Sequence, residues 1–107
     1  MTDKRLLRIA KQIEGIKQEL IGIGEMRPGS LTLQYKIPAE KKGPFYQLSY
    51  THKMKSKTNY VRAHHVADLR EQIKTYKRFK KLVEKWIDLS IEHSKIKTTL
   101  ANRNLIK

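Results

Sequence analysis

The amino-acid sequence predicts an α+β fold in which a helix, a three-stranded antiparallel sheet and a long helix follow one another along the chain. Two observations support this prediction. Apolar residues recur at helical spacing near both ends of the chain, and they alternate with polar residues in its middle. A chain of 107 residues has the size of one domain with a modest core. We therefore expect a single domain over residues 1–107.

The first segment carries a narrow apolar stripe with heptad spacing. Its members are Leu6, Ile9, Ile13, Ile16, Leu20 and Ile23. Thr2 or Asp3 can cap the start of a helix, and Gly22 and Gly24 weaken its end. We predict a helix over residues 3–22. So narrow a stripe suits a second helix as its neighbour, in the same chain or in another copy.

The middle segment alternates apolar and polar residues with the two-residue period of strands. The apolar faces of the first two strands consist of Leu31, Leu33, Tyr35 and Ile37 and of Tyr46, Leu48 and Tyr50. A polar connection over residues 52–57 precedes a third short strand that ends at Arg62. Short links between consecutive strands favour an antiparallel meander, which we place over residues 30–62. The apolar face of three strands needs a covering helix.

The third segment, residues 64–101, contains no Gly or Pro and reads as one long helix. On a helical wheel one apolar stripe holds Leu69, Ile73, Tyr76, Val83 and Ile87, and Phe79 and Trp86 widen it on one side. We expect the first turns of this helix to cover the sheet and its later turns to meet the first helix. Residues 102–107 are expected to form a frayed tail.

Basic side chains far outnumber acidic ones. The chain has 24 Lys and Arg against 10 Asp and Glu, and a formal net charge of +14. On the wheel, one side of the long helix is almost purely cationic: Arg70, Lys74, Lys77, Arg78, Lys81 and Lys85. This pattern favours a polyanionic partner, either nucleic acid or an anionic membrane surface. The alternative is a lysine-rich face that is merely solvated.

The predicted sheet offers a second polar surface. Its members are Thr32, Gln34, Lys36, Gln47, Ser49 and Thr51, and Lys53, Lys55 and Lys57 cluster on the adjacent hairpin. Short hydroxyl and amide side chains beside lysines suit a strand surface laid in a nucleic-acid groove, and equally an ordinary solvated face. Gln34, Gln47, Ser49 and Thr51 are the candidates for contacts to bases.

Several kinds of chemistry find no support in the sequence. Cysteine is absent, which removes disulfides, cysteine nucleophiles and cysteine-ligated zinc. His64 and His65 are adjacent, so we expect them to point to different sides of a helix start and not to form a metal pair. No glycine-rich phosphate loop or nucleophile motif occurs. We expect a non-enzymatic protein without catalytic residues, metal or cofactor. No membrane span or signal peptide is recognisable, so we expect a cytoplasmic location.

Four stretches of the chain carry a family resemblance: residues 27–31, 43–50, 53–62 and 76–82. They resemble a family of small, uncharacterised prokaryotic proteins that are often described as transposon-associated. Many of those relatives carry a cysteine-rich knuckle between the first two strands. This chain has no cysteine over residues 36–44, so the zinc role of such relatives is not expected here. The resemblance implies a mobile-element context and no established activity.

These observations predict a small basic protein that binds nucleic acid and serves as an accessory or regulator for a mobile element. DNA is favoured over RNA, because no RNA-stacking motif is recognisable. The alternatives are an RNA-binding protein and an interaction module that docks a larger protein through its helical stripes. The stripe of the first helix, set against the later half of the long helix, also predicts a coiled-coil homodimer. A helical hairpin within one chain is the competing arrangement.

Overall fold

The computed structural model describes residues 3–106, with side chains as far as residue 104. Its elements follow the predicted order, so the α+β prediction is confirmed. They are helix α1 (Lys4–Ile21), strands β1 (Ser30–Ile37), β2 (Lys42–His52) and β3 (Lys55–Val61), and helix α2 (Val66–Ile106). Short 3-10 turns at Pro38–Glu40 and Ala63–His65 precede β2 and α2.

Local hydrogen bonds define the two ends of α1. The Asp3 carboxylate accepts hydrogen bonds from the Arg5 guanidinium Nη2 at 3.1 Å and from the Arg5 backbone N–H at 2.8 Å. These bonds, the guanidinium first, hold the pKa of the Asp3 carboxyl below its ordinary value. At the other end, the Gly22 N–H donates to the Glu19 carbonyl oxygen at 3.2 Å. Thr2, the other predicted cap, lies outside the described residues.

The sheet is an antiparallel meander in the order β1-β2-β3, with Leu31 paired to Leu48. A two-residue turn joins β2 to β3, and its residues, Lys53 and Met54, have φ angles of 51° and 64°. Two positive φ angles are typical of a type I′ turn, whose twist matches that of the strands it joins. The connection is therefore shorter than the one predicted over residues 52–57, because the strand ladder already includes Lys55.

Residues Gly24–Arg78 form one compact unit, the sheet unit. As predicted, the first turns of α2 cover the apolar face of the sheet. The buried core residues are Leu48, Val61, Val66 and Ile73, with Leu31, Tyr46, Tyr50 and Leu69 packed against them. Leu48 is 1% exposed and forms the centre of this core. The segment that enters β1 is tied to α2, since the Arg27 N–H donates to the Gln72 carbonyl oxygen at 3.1 Å.

The residues up to Ile23 and those from Phe79 onward form a second compact unit, the helical unit. Two members of the predicted α1 stripe are buried here, Ile9 and Ile16. Lys17 Nζ lies 5.4 Å from the centroid of the Trp86 ring, and Ile13 and His93 line a common cavity. Earlier residues of α1 therefore lie beside later residues of α2. The two helices run antiparallel as a hairpin within one chain.

The side of α2 in this hairpin differs from the prediction. Half-buried residues recur here at spacings of three and four: Leu82, Trp86, Leu89, His93, Ile96 and Leu100. The predicted stripe instead continued through Val83 and Ile87, and Ile87 is 53% exposed. The prediction was wrong for Ile87, because α2 carries two apolar stripes and the heptad-spaced one matches the narrow stripe of α1.

The end of α2 also differs from the prediction. The helix continues to Ile106, whereas we expected it to end at residue 101 before a frayed tail over residues 102–107. No Gly or Pro in this stretch interrupts the helical hydrogen bonds, which explains the longer helix. Lys107 lies outside the described residues.

Candidate nucleic-acid interface

The cationic residues predicted for the long helix all lie at exposed positions of α2. Four belong to the sheet unit: Arg70, Lys74, Lys77 and Arg78. The other two, Lys81 and Lys85, belong to the helical unit. Since residues three and four apart on a helix are neighbours on its surface, each group presents adjacent positive charges to solvent. We call these six residues the cationic face of α2.

The acidic side chain of Glu71 partly offsets this charge. Lys74 Nζ pairs with Glu71 Oε1 at 3.4 Å, and the two side chains are 75% and 72% exposed. An exposed pair of this kind contributes at most about 1 kcal/mol, so a phosphate can displace Glu71 at little cost. Arg70 Cζ lies 5.9 Å from the centroid of the Tyr46 ring. At this distance the guanidinium is attracted to the ring as a cation–π partner and remains charged.

The strand register places the predicted polar residues of the sheet on one face. We call it the outer face, because the first turns of α2 cover the other one. Its predicted members are Thr32, Gln34, Lys36, Gln47, Ser49 and Thr51, and each is at least partly exposed. The register adds residues from β3, since Gln47 pairs with Tyr60 and Ser49 pairs with Thr58.

Hydroxyl groups at one end of the outer face bond to each other. The oxygens of Ser49 and Thr58 lie 3.4 Å apart, and those of Thr51 and Ser56 lie 3.0 Å apart. Such cross-strand pairs stabilise an antiparallel sheet. A base contact by Ser49 or Thr51 would therefore compete with an existing hydrogen bond. The two glutamines of the outer face lie outside these pairs.

The hairpin lysines do not flank these hydroxyl groups as expected. Lys53 lies in the turn, whereas Lys55 and Lys57 are strand residues. Lys57 pairs with Tyr50, whose side chain packs against the core, so Lys57 is directed to the α2 side of the sheet. Lys55 lies two residues earlier and shares that side. Because the tight turn fixes this alternation, the three lysines do not form the cluster that was expected beside the hydroxyl groups.

Within the sheet unit, the four cations of α2 and the outer face consequently lie on opposite sides of the sheet. The first turns of α2 cover the inner face of the sheet, which is the face opposite to the outer face. The cations of these turns are exposed to solvent. Among the described strand positions of the outer face, Lys36 is the one charged residue. Within the sheet unit, the structure does not merge these four cations and the outer face into one continuous interface.

A cleft of about 520 Å³ opens between β3 and α2 in the sheet unit. Arg27 lines it, and its Cζ lies 4.9 Å from the centroid of the Tyr50 ring. With the amide of Asn59 turned so that its oxygen faces the guanidinium, that oxygen accepts a hydrogen bond from Arg27 Nη2 at 3.3 Å. Arg27 belongs to one of the stretches that carry the family resemblance, but it was not among the cations predicted for the binding surface.

Sequence reasoning also missed two aromatic residues on the outer face, Phe45 and Tyr60. Their ring centroids lie 6.2 Å apart, with 31° between the ring planes. Phe45 pairs with Gln34, and Tyr60 pairs with Gln47. The alternating pattern of β2 could have placed Phe45 on the outer face, because Phe45 is out of phase with the core residues that follow it.

Comparison of the chain with family models, with curated proteins and with solved structures gives no match. Neither helix within residues 3–106 combines the length and the apolar character that a membrane crossing requires.

Proposed function

We propose that this protein binds nucleic acid, with duplex DNA as its main partner, and that it does so without enzymatic activity. The cationic face of α2 is the observation that supports this proposal. Like charges three and four residues apart destabilise a helix slightly when nothing neutralises them. A row of phosphates neutralises them and releases the counterions that had condensed on the DNA.

The cationic face suits the sugar–phosphate backbone more than the bases. Lysine is a compact charge on a flexible stem, and contacts of this kind position a protein on DNA without reading its sequence. We therefore assign the affinity to the cationic face and expect it to depend little on DNA sequence. The family resemblance extends the proposal to an accessory or regulatory role in a mobile element. The proposal also keeps the cytoplasmic location that the sequence led us to expect.

The direct test is the salt dependence of binding to a labelled DNA duplex, followed by fluorescence anisotropy. Six phosphate contacts give a slope of about −5 in log affinity against log salt, since each contact contributes about 0.9. We expect nuclease-sensitive nucleic acid to copurify with the protein at low salt. Failure to bind duplex DNA at about 50 mM salt, where such contacts are strongest, would refute the proposal.

The helical unit supports a second proposal, that two copies of the chain associate. The α1 stripe predicted for this role is not free, since Ile9 and Ile16 are already buried within the chain. An exposed groove of about 450 Å³ lies instead along α2, and its apolar residues are Val83, Trp86, Ile87 and Ile91. Glu84 adjoins one end of the groove and Lys95 lines the other. Two copies paired antiparallel place these opposite charges together at both ends.

Light scattering tests this association. We expect wild-type protein to show about twice the chain mass of 12.6 kDa. Ile87→Glu should yield a folded monomer, because it places a charge in the paired groove. Leu7→Glu is the matched control, since Leu7 is 57% exposed on α1 and Ile87 is 53% exposed. A wild-type mass of one chain would exclude the dimer and leave the groove to a different protein.

A further inference from the structure

We propose that the outer face of the sheet is a second nucleic-acid site, which binds unpaired nucleotides by stacking their bases on Phe45 and Tyr60. The inference rests on the proposed function only in taking nucleic acid as the partner. It concerns a different surface from the cationic face of α2, so the two can be tested separately.

The outer face is uncovered and nearly neutral. None of its strand residues within the described β1, β2 and β3 is buried, and none of them is acidic. A surface rich in amides and hydroxyls and free of carboxylates suits base edges, which present donors and acceptors but no charge.

The aromatic pair supplies what an ordinary solvated sheet face lacks. Tyr60 is 68% exposed, although it lies opposite the half-buried Gln47 in a regular strand. The planes of Phe45 and Tyr60 differ by 31°, so the faces of the two rings point in similar directions. Exposed aromatic rings on a sheet are a common platform for unpaired bases, because every base has an apolar face that can stack.

Hydrogen-bonding groups lie beside this platform. Gln34 is opposite Phe45 and Gln47 is opposite Tyr60, so each ring has an amide as its cross-strand neighbour. An amide both donates and accepts, and it can pair with the edge of a stacked base. Gln34 Nε2 donates to Thr32 Oγ1 at the long distance of 3.4 Å, a bond that a base edge can replace.

Two cations on the edges of the sheet are candidates to hold the phosphates of a bound strand. Lys36 follows Gln34 on the outer face, and its side-chain carbons pass over Gly43, within 3.0–3.2 Å of where a Cβ of Gly43 would lie. Arg62 is exposed and extended, two residues beyond Tyr60. One basic residue therefore belongs to each edge of the sheet, Lys36 to β1 and Arg62 to the position that follows β3.

This site selects unpaired over paired nucleotides for a physical reason. In a duplex the base faces are covered by their neighbours in the stack, and side chains can reach only their edges in the grooves. Stacking on Phe45 and Tyr60 requires bases whose faces are free. The site is thus expected to take loops, ends or melted stretches of either DNA or RNA.

The test compares three labelled probes by fluorescence anisotropy: oligo-dT, oligo-rU and a mixed-sequence DNA duplex. Tyr60→Leu removes the stacking ring and keeps an apolar side chain in the strand. It should weaken binding to the single strands by about 5- to 150-fold, the range measured for one stacked base. Duplex affinity should be unchanged, because the cationic face of α2 is intact. The two single-stranded probes together show whether the sugar matters.

Three further variants complete the design. Tyr60→Phe keeps the ring and should retain single-strand affinity, whereas Phe45→Leu should reduce it in the same way as Tyr60→Leu. Ile37→Ala is the matched control, since Ile37 is 49% exposed and belongs to the opposite face of the same sheet. This variant should bind single strands normally. Melting curves followed by circular dichroism verify that each variant is folded.

The outcomes distinguish this inference from the proposed function. Normal duplex binding together with unchanged single-strand binding in both Tyr60→Leu and Phe45→Leu overturns the inference alone and leaves the ring pair as sheet packing. An equal loss on duplex and single strands also overturns it. Absence of binding to all three probes by wild-type protein overturns both proposals.

Discussion

Gly29→Ala is expected to destabilise the sheet unit by about 2 to 5 kcal/mol, a large part of the stability of so small a domain. Gly29 has a φ of +139°, which residues with a Cβ rarely adopt. An added Cβ would lie 2.8 Å from Leu48 Cδ1 and 2.9 Å from the Ser49 carbonyl oxygen. Leu48 is the centre of the core, and the carbonyl belongs to the central strand, so neither can move without cost.

Urea unfolding followed by far-UV circular dichroism measures this effect. The matched control is Gly15→Ala in the middle of α1, where an added Cβ would meet nothing within 4 Å. That change should leave the protein unaltered or stabilise it by up to about 1 kcal/mol, because alanine favours the helix. Equal unfolding midpoints for Gly29→Ala and wild type would contradict this close packing around Gly29.

The order and type of the elements could be predicted because each depends on a local period. The stripe from Leu6 to Ile23 repeats every three or four residues, and the run from Leu31 to Ile37 alternates. The absence of Gly and Pro after residue 64 indicated one uninterrupted helix. These signals need no knowledge of distant contacts, which is why the structure agrees with them closely.

The details that the sequence did not reveal depend on contacts between distant residues. Two apolar stripes of α2 were available, and only the packing of α1 determines that Trp86 and His93, and not Ile87, lie in the hairpin. The side of the sheet on which Lys57 lies depends on the length of the preceding turn, because a shift of one residue exchanges the faces. Lys53 and Met54 form a type I′ turn without the Asn or Gly that usually announces one.

For the candidate site, the cations of α2 could be located from a helical wheel, whereas the division into two surfaces could not. The wheel needs only the helical period, and all six predicted residues are exposed. That the cations of α2 in the sheet unit and the outer face lie on opposite sides of the sheet follows from the strand register and from which face α2 covers. Phe45 and Tyr60 became visible as a pair only through that register.

Replacing Lys77, Lys81 and Lys85 together with glutamine should flatten the salt dependence of duplex binding by about 2.7 in log affinity against log salt. Each lysine is exposed on α2, so the substitutions should leave the fold intact. Titrations with the labelled duplex over a range from about 50 to about 200 mM salt give the slope directly. The affinity at low salt should also fall, because fewer condensed counterions are released on binding.

The decisive comparison is a second triple variant with the same change in net charge. Lys4, Lys11 and Lys97 are exposed lysines outside the cationic face of α2. If phosphates contact the cationic face, replacing these three with glutamine should leave the slope close to that of wild type. Equal flattening in both variants would mean that the +14 charge attracts DNA diffusely and that α2 has no special role. Loss confined to the first variant would instead assign the phosphate contacts to α2, since contacts at fixed positions, unlike diffuse attraction, depend on which lysines are removed.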